Sequence, residues 1–120
     1  MASLLLATDD AALHAIFSAE AGVMGFDTVW AGNGQEAIEC IEAGVPDAVF
    51  LDVHLGVLSV WEVCEALRND RHLPEMLPLY VLSDDDLSPR RLERARVSGV
   101  FPKTPRAGAI QNLLAGLLRG

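Results

Sequence analysis

Short apolar runs alternate with amphipathic stretches from one end of the chain to the other. Ser3–Ala7 is a compact apolar run and predicts a first strand. After Asp9 and Asp10, the residues Leu13, Ile16, Phe17 and Met24 recur at helical spacing, and Gly22 and Gly25 mark the end of that first helix. Asp27–Ala31 predicts a second strand. Asn33 and Glu36, three residues apart, have the form of a capping box. They open a second helix whose Ala37, Ile38 and Ile41 share a face, and Gly44 stops it. Val45-Pro46 turns the chain into Asp47–Leu51, a third strand with Asp52 at its end. Val60, Val63, Cys64 and Leu67 line a third helix. Pro74 and Pro78 bound a loop before the fourth strand, Leu79–Leu82, which Ser83 follows. Ser88-Pro89 is a cap followed by proline at the first helical position, so a fourth helix is expected to run to about Val97. Gly99–Pro102 predicts a short fifth strand followed by Lys103. Ile110, Leu113, Leu114, Leu117 and Leu118 form the apolar face of a fifth helix.

Five strands thus alternate with five helices. Near-continuous apolar strands imply burial on both faces, and short strands separated by helices imply right-handed crossovers in a parallel sheet. The expected fold is an open, doubly wound α/β sandwich. In such sheets ligands bind beyond the carboxyl ends of the strands, near the topological switch point. A length of 120 residues fits one domain, residues 1–120, and 51% apolar residues suffice for a sizeable core.

Charge and composition narrow the function classes. The net charge is −8, from nine basic and seventeen acidic residues, which argues against direct nucleic-acid binding. The longest apolar runs are far too short to cross a bilayer. Met1-Ala2-Ser3 lacks the positive charge of a secretory signal, so the chain reads as soluble and cytoplasmic, with no membrane association. Cys40 and Cys64 fall among apolar residues at helical spacing and read as buried, reduced thiols. The three histidines are scattered and match no zinc spacing. Trp30 and Trp61 read as packing residues.

The polar residues at the strand ends change the picture more. Asp9 and Asp10 follow the first strand, Asp52 ends the third, Ser83 follows the fourth and Lys103 the fifth. In the expected fold all five meet at one sheet edge. Carboxylates brought together repel unless a cation joins them, and Mg²⁺ suits a site with one or two carboxylates, waters and phosphate oxygens. A lysine and a hydroxyl opposite the acids suit an anion. An aspartate can act as nucleophile towards a phosphoryl group, with the metal and lysine spreading the charge of transfer.

On these residues the sequence resembles the receiver domains of two-component response regulators, the CheY-like superfamily. The matching segments are Asp9-Asp10, Val49-Phe50-Leu51-Asp52-Val53, Val81-Leu82-Ser83 and Phe101-Pro102-Lys103, and the likeness runs from Ser3 to the fifth helix. The resemblance implies a flavodoxin-like (βα)5 sandwich with strand order 2-1-3-4-5. It implies that Asp52 is the phosphoacceptor and that Asp10 binds Mg²⁺ (or Mn²⁺) directly, with Asp9 helping through water. Asp52 and the backbone carbonyl of His54 would complete the metal ligands. Ser83 would be the hydroxyl that follows the phosphoryl group, and Lys103 the lysine that pairs with it. The His54 side chain reads as solvated or packing, with tuning of dephosphorylation as the alternative. Implied partners are a sensor histidine kinase or phosphotransfer protein, a downstream effector or output domain, and a second copy through the helix 4–strand 5–helix 5 face. Such a protein is a signalling switch and not a metabolic enzyme.

The sequence also departs from the family. Gly56 stands where proline is usual, and Val60 where glycine is usual. Asp84, followed by Asp85 and Asp86, stands where a small residue is usual. Val100 stands where Tyr or Phe swings inward, and Phe101 has the opposite strand parity. Thr104 separates Lys103 from Pro105, and the stretch from Ser83 to Lys103 is about two residues short. These changes direct attention to the Asp84–Ser88 loop and the fourth helix as the route of any response. They also keep a second reading open, a pseudo-receiver that docks proteins without phosphorylation. A flavodoxin-like cofactor protein fits less well, because Thr8-Asp9-Asp10 would repel a phosphate. A haloacid-dehalogenase-type phosphatase would carry its nucleophile after the first strand, not the third.

Overall fold

The computed structural model describes residues 2–103 and 108–119. Thr104 and Pro105, which form part of the departure after Lys103, lie outside the described residues. The elements are β1 (Ala2–Ala7), α1 (Ala11–Val23), β2 (Phe26–Ala31), α2 (Gly34–Ala43), β3 (Ala48–Asp52), α3 (Val60–Asn69), β4 (Leu79–Leu82), α4 (Pro89–Ala95), β5 (Gly99–Phe101) and α5 (Ala109–Arg119). All strand pairs are parallel, in the order β2-β1-β3-β4-β5, as the resemblance implies.

Alternation of side chains along each strand divides the core into two layers. Leu5, Val49, Leu51, Leu79 and Val81 face α2 and α3, meeting Ile41, Val63 and Cys64. Leu4, Leu6, Phe50 and Leu82 face α1 and α5, meeting Phe17, Ile110 and Leu114. Phe50 anchors this second layer, with its ring edge-on to Phe17 at 4.9 Å and stacked on Tyr80 at 5.1 Å. Burial on both faces holds for β3 throughout. It fails at the edge strand β2, where Val29 and Trp30 are more than two-fifths exposed.

Several boundaries differ from the sequence expectation, each for a local reason. β3 is shifted by one residue, so Asp52 lies inside the strand, in register with Leu82. Asp47 stands outside it, because its N–H donates to the Ser3 carbonyl and its carboxylate accepts the Ser3 N–H, both at 2.8 Å. α4 stops at Ala95, short of Val97. Arg96 takes a left-handed conformation (φ 52°), and its carbonyl accepts two bonds from the Arg68 guanidinium. β5 ends at Phe101, before Pro102, which has no N–H to give a ladder. Asn33 caps α2 as expected, but Glu36 turns to the Gly32 N–H and the Asn33 amide, so the reciprocal backbone bond of a capping box is not made. The complete box is Ser59 with Glu62, at the start of α3. Among the described residues no helix is long and apolar enough to cross a membrane.

Gly34 shows how closely α2 approaches the loop that follows Asp52. A Cβ there would stand 2.7 Å from the Leu58 carbonyl and 2.9 Å from Val63. Gly34→Ala is therefore expected to destabilise the protein by about 1–3 kcal/mol, read as a lower urea midpoint with an unchanged slope.

The two cysteines part company. Cys64 is fully buried, whereas Cys40 is only half-buried, which corrects the expectation of two core thiols. Burial pushes the Cys64 thiol from 9.0 up to about 11, and burial with Glu36 and Glu39 nearby also raises Cys40. A thiol reagent near pH 8 should modify Cys40 well ahead of Cys64, and both alike in denaturant. The unfolded chain releases the Cys64 proton from about pH 9, while the folded chain holds it to about 11. Stability is therefore full below pH 9 and falls across that window, as urea titrations at alkaline pH will read.

Candidate functional site

Parallel order brings the exits of β1, β3, β4 and β5 to one edge of the sheet. Backbone bonds beyond the strands hold those exits in place: Thr8 N–H to the Ala31 carbonyl, Val53 to Leu82, and Ser83 to Phe101. Asp52 sits in the middle of this edge and is 1% exposed.

A carboxylate so far from water requires donors, and it has three. Lys103 Nζ lies 3.1 Å from Asp52 Oδ2. The Thr8 hydroxyl donates to the same oxygen at 2.7 Å. The His54 backbone N–H donates to Oδ1 at 2.9 Å. The His54 side chain itself is exposed. The Lys103 side chain remains partly in water, so its ammonium neutralises the buried acid while keeping contact with solvent.

Thr8 is the residue that sequence reasoning missed. It is fully buried, and its hydroxyl also accepts the Asp10 N–H at 3.1 Å, linking the acidic pair to Asp52. Its carbonyl accepts the Trp30 indole N–H at 2.8 Å, and the Trp30 ring stacks on His14 at 4.2 Å. Trp30 is thus a half-exposed brace for the site more than a core residue. The available signal was a hydroxyl side chain at the end of an apolar strand, directly before the acidic pair.

The other expected site residues share the edge but not the contact. Asp10 is exposed and caps α1, its Oδ1 accepting the N–H groups of Ala12 and Leu13. Asp9 is exposed beside it. Ser83 is buried, but its hydroxyl is held by its own loop, accepting the Asp85 N–H and donating to the Asp85 carbonyl. Asp84, which stands where a small residue is usual, accepts the Lys103 N–H at 2.9 Å and so ties the exit of β4 to that of β5. Val100 is exposed, and Phe101 packs with Phe50 and Leu82 on the opposite face, as its parity requires.

A metal fits the chemistry of these donors, although they do not form a closed cage. Among the described residues no three His, Cys, Asp or Glu side chains sit together as a metal-binding group. Mg²⁺ needs only one or two carboxylates, with carbonyl and water completing its shell. Asp52 Oδ1 accepts a single hydrogen bond and keeps a second acceptor direction. The loop that would supply the His54 carbonyl carries backbone strain at Val57, a β-branched residue at φ 67°.

No family model matches the chain. Response regulator MprA of Mycolicibacterium vanbaalenii is 31% identical over 112 residues, covering 93% of this chain and 47% of that protein. A probable transcriptional regulator, ycf27, of Porphyridium aerugineum is 28% identical over 127 aligned positions, covering 92% and 52%. The chain spans about half the length of these curated relatives. Chemotaxis response regulator CheY4 of Vibrio cholerae has the same fold, with a TM-score of 0.88 at 18% identity and 98% of both chains covered. A two-component response regulator of Clostridium difficile superposes with a TM-score of 0.85 at 19% identity, over 99% of this chain and 97% of that one. The chain thus has the fold of these CheY-like structures, and the curated relatives it matches are response regulators and transcriptional regulators.

Thr8→Val keeps the shape and removes the donor to a buried carboxylate. It is expected to cost about 1.5–3 kcal/mol in urea denaturation, with Thr8→Ser recovering most of the loss.

Proposed function

We propose that this chain is one phospho-accepting receiver unit, with Asp52 as acceptor, switching protein–protein interactions in two-component signalling. The observation that carries the reading is the buried Asp52 carboxylate paired with Lys103 at 3.1 Å, at the carboxyl edge of a parallel sheet. A buried ion pair is weak as a stabilising device, and a functional site is the better reason to keep one.

The donor is a phosphohistidine of a sensor histidine kinase or phosphotransfer protein. An oxygen of Asp52 attacks phosphorus, the O–P bond forms, the N–P bond breaks, and the imidazole leaves and takes up a proton. Asp52, Asp10, the His54 carbonyl and, through water, Asp9 would hold Mg²⁺ (or Mn²⁺), which supplies charge neutralisation to phosphoryl transfer. Forming the acyl phosphate removes the carboxylate charge that Lys103 and Thr8 now face, and Lys103 turns to the phosphoryl oxygens. Ser83 leaves Asp85 to donate to the same group. Because Ser83 and Asp85 hold one turn, this exchange rearranges the start of the Asp84–Ser88 loop and so reaches α4. Val100 offers no ring to fill space in that movement. A downstream effector or output domain reads the change, and the α4–β5–α5 face is available for a second copy.

The pseudo-receiver reading is favoured by one feature: Asp52 and Ser83 already have their polar atoms engaged inside the protein. Intact-protein mass after incubation with Mg²⁺ and acetyl phosphate separates the two. A single phosphoryl adduct that is absent from Asp52→Asn is expected. No adduct, with no Mg²⁺ binding by calorimetry, would instead establish a docking module that works without phosphorylation.

A further inference from the structure

Positive charge is distributed very unevenly in this acidic protein. Six of its nine basic residues are arginines between positions 68 and 96, in a chain of net charge −8. Arg90, Arg91, Arg94 and Arg96 are all exposed along α4 and its cap, while Ala95 is the residue that α4 buries. The end of α3 closes against them. Arg68 donates to the Arg96 carbonyl at 2.8 and 3.1 Å, and Arg96 donates back to the Arg68 carbonyl at 3.2 Å. These bonds go to carbonyls, and among the described residues no carboxylate pairs with either guanidinium. Burial first, and the neighbouring charge of Arg96 second, lower the Arg68 pKa.

Between α3 and α4 lies a cleft of about 370 Å³ with Trp61, Arg68, Arg91, Arg94 and Arg96 on its walls. The Arg91 guanidinium stands 5.2 Å above the Trp61 ring, which is half-buried and offers an apolar floor. Glu65 is the acid on the cleft wall, and Glu93 is the acid on α4 itself. Neither comes within salt-bridge distance: among the described residues the ion pair under 4 Å is Lys103 with Asp52. Arginine and tryptophan are residue types that carry protein interfaces.

We propose that the α3–α4 cleft is a docking surface for an acidic segment of a partner protein, with carboxylates on Arg91, Arg94 and Arg96 and an apolar side chain against Trp61. The arginines supply bidentate donors for carboxylates. The overall charge of −8 repels a polyanion such as nucleic acid, which must neutralise many phosphates at once, but tolerates a short segment whose charge meets only this face. The surface is complete without any change at Asp52, so the proposal stands apart from the phosphorylation reading.

The test uses the whole chain and fluorescence anisotropy at low ionic strength. The probes are a short labelled peptide rich in Glu and Asp with one Phe, the same peptide with Gln and Asn for the acids, and a single-stranded oligodeoxynucleotide of matched charge. The acidic peptide should bind, weaken with added NaCl, and lose at least about tenfold in affinity in Arg91→Glu/Arg94→Glu. Trp61→Leu should weaken it less. These α4 positions are exposed, and an unchanged urea midpoint will show that the variant is folded. Tighter binding of the oligodeoxynucleotide than of the acidic peptide would overturn the proposal in favour of a nucleic-acid surface. Equal binding of the neutral peptide, or no effect of the folded arginine variant, would overturn it outright.

Discussion

A carboxylate held almost entirely out of water is the constraint around which the carboxyl edge of this sheet is organised. A carboxylate taken out of water needs neighbours that replace its lost solvation, and at Asp52 the replacement comes from three separate segments. Thr8 arrives from the exit of β1, the His54 N–H from the turn after β3, and Lys103 from the exit of β5. In the order β2-β1-β3-β4-β5, β1 and β4 flank β3, and β5 lies one strand further out. Lysine, with its long stem, is therefore the residue that can span the exit of β4 and still keep part of its side chain in water. The Asp84 carboxylate on the Lys103 N–H holds the root of that stem.

Beneath that edge the sheet is rigid and apolar. β3 is buried along its whole length, and Phe50, two residues below Asp52, is locked between Phe17 and Tyr80. Above the edge the chain has alternatives. Val57 sits in a left-handed conformation, and the Ser83 hydroxyl is satisfied by a two-residue turn with Asp85 that another acceptor could replace. A stiff base with exchangeable polar contacts above it fits the proposed switch, in which a local charge change would be expressed in the loops more than in the core.

The same division appears in the charge pattern. Acids surround the carboxyl edge, at Asp9, Asp10, Asp52 and Asp84–Asp86, whereas the arginines gather where α3 and α4 converge. α4 joins the two regions. It begins just after the Ser83 turn, and its left-handed end at Arg96 is clamped by Arg68. The proposed docking surface and the proposed phosphorylation site therefore share one short element.

Periodicity and turn residues in the sequence were enough for all ten elements, for parallel pairing, and hence for the edge at which Asp9, Asp10, Asp52, Ser83 and Lys103 gather. Those features follow from patterns of two and 3.6 residues, which are local properties of the chain. The boundary shifts at Asp47 and Val97 arose where a long-range bond from Ser3 or Arg68 outweighed local preference. Partner choice among polar side chains belonged wholly to the tertiary structure. Thr8 rather than Ser83 reaches Asp52, Asp10 caps a helix, and Glu36 leaves its box, because a hydrogen bond is decided by tenths of an ångström between segments far apart in sequence. The chain alone determined which groups meet at the edge; only the packed sheet decided which of them touch.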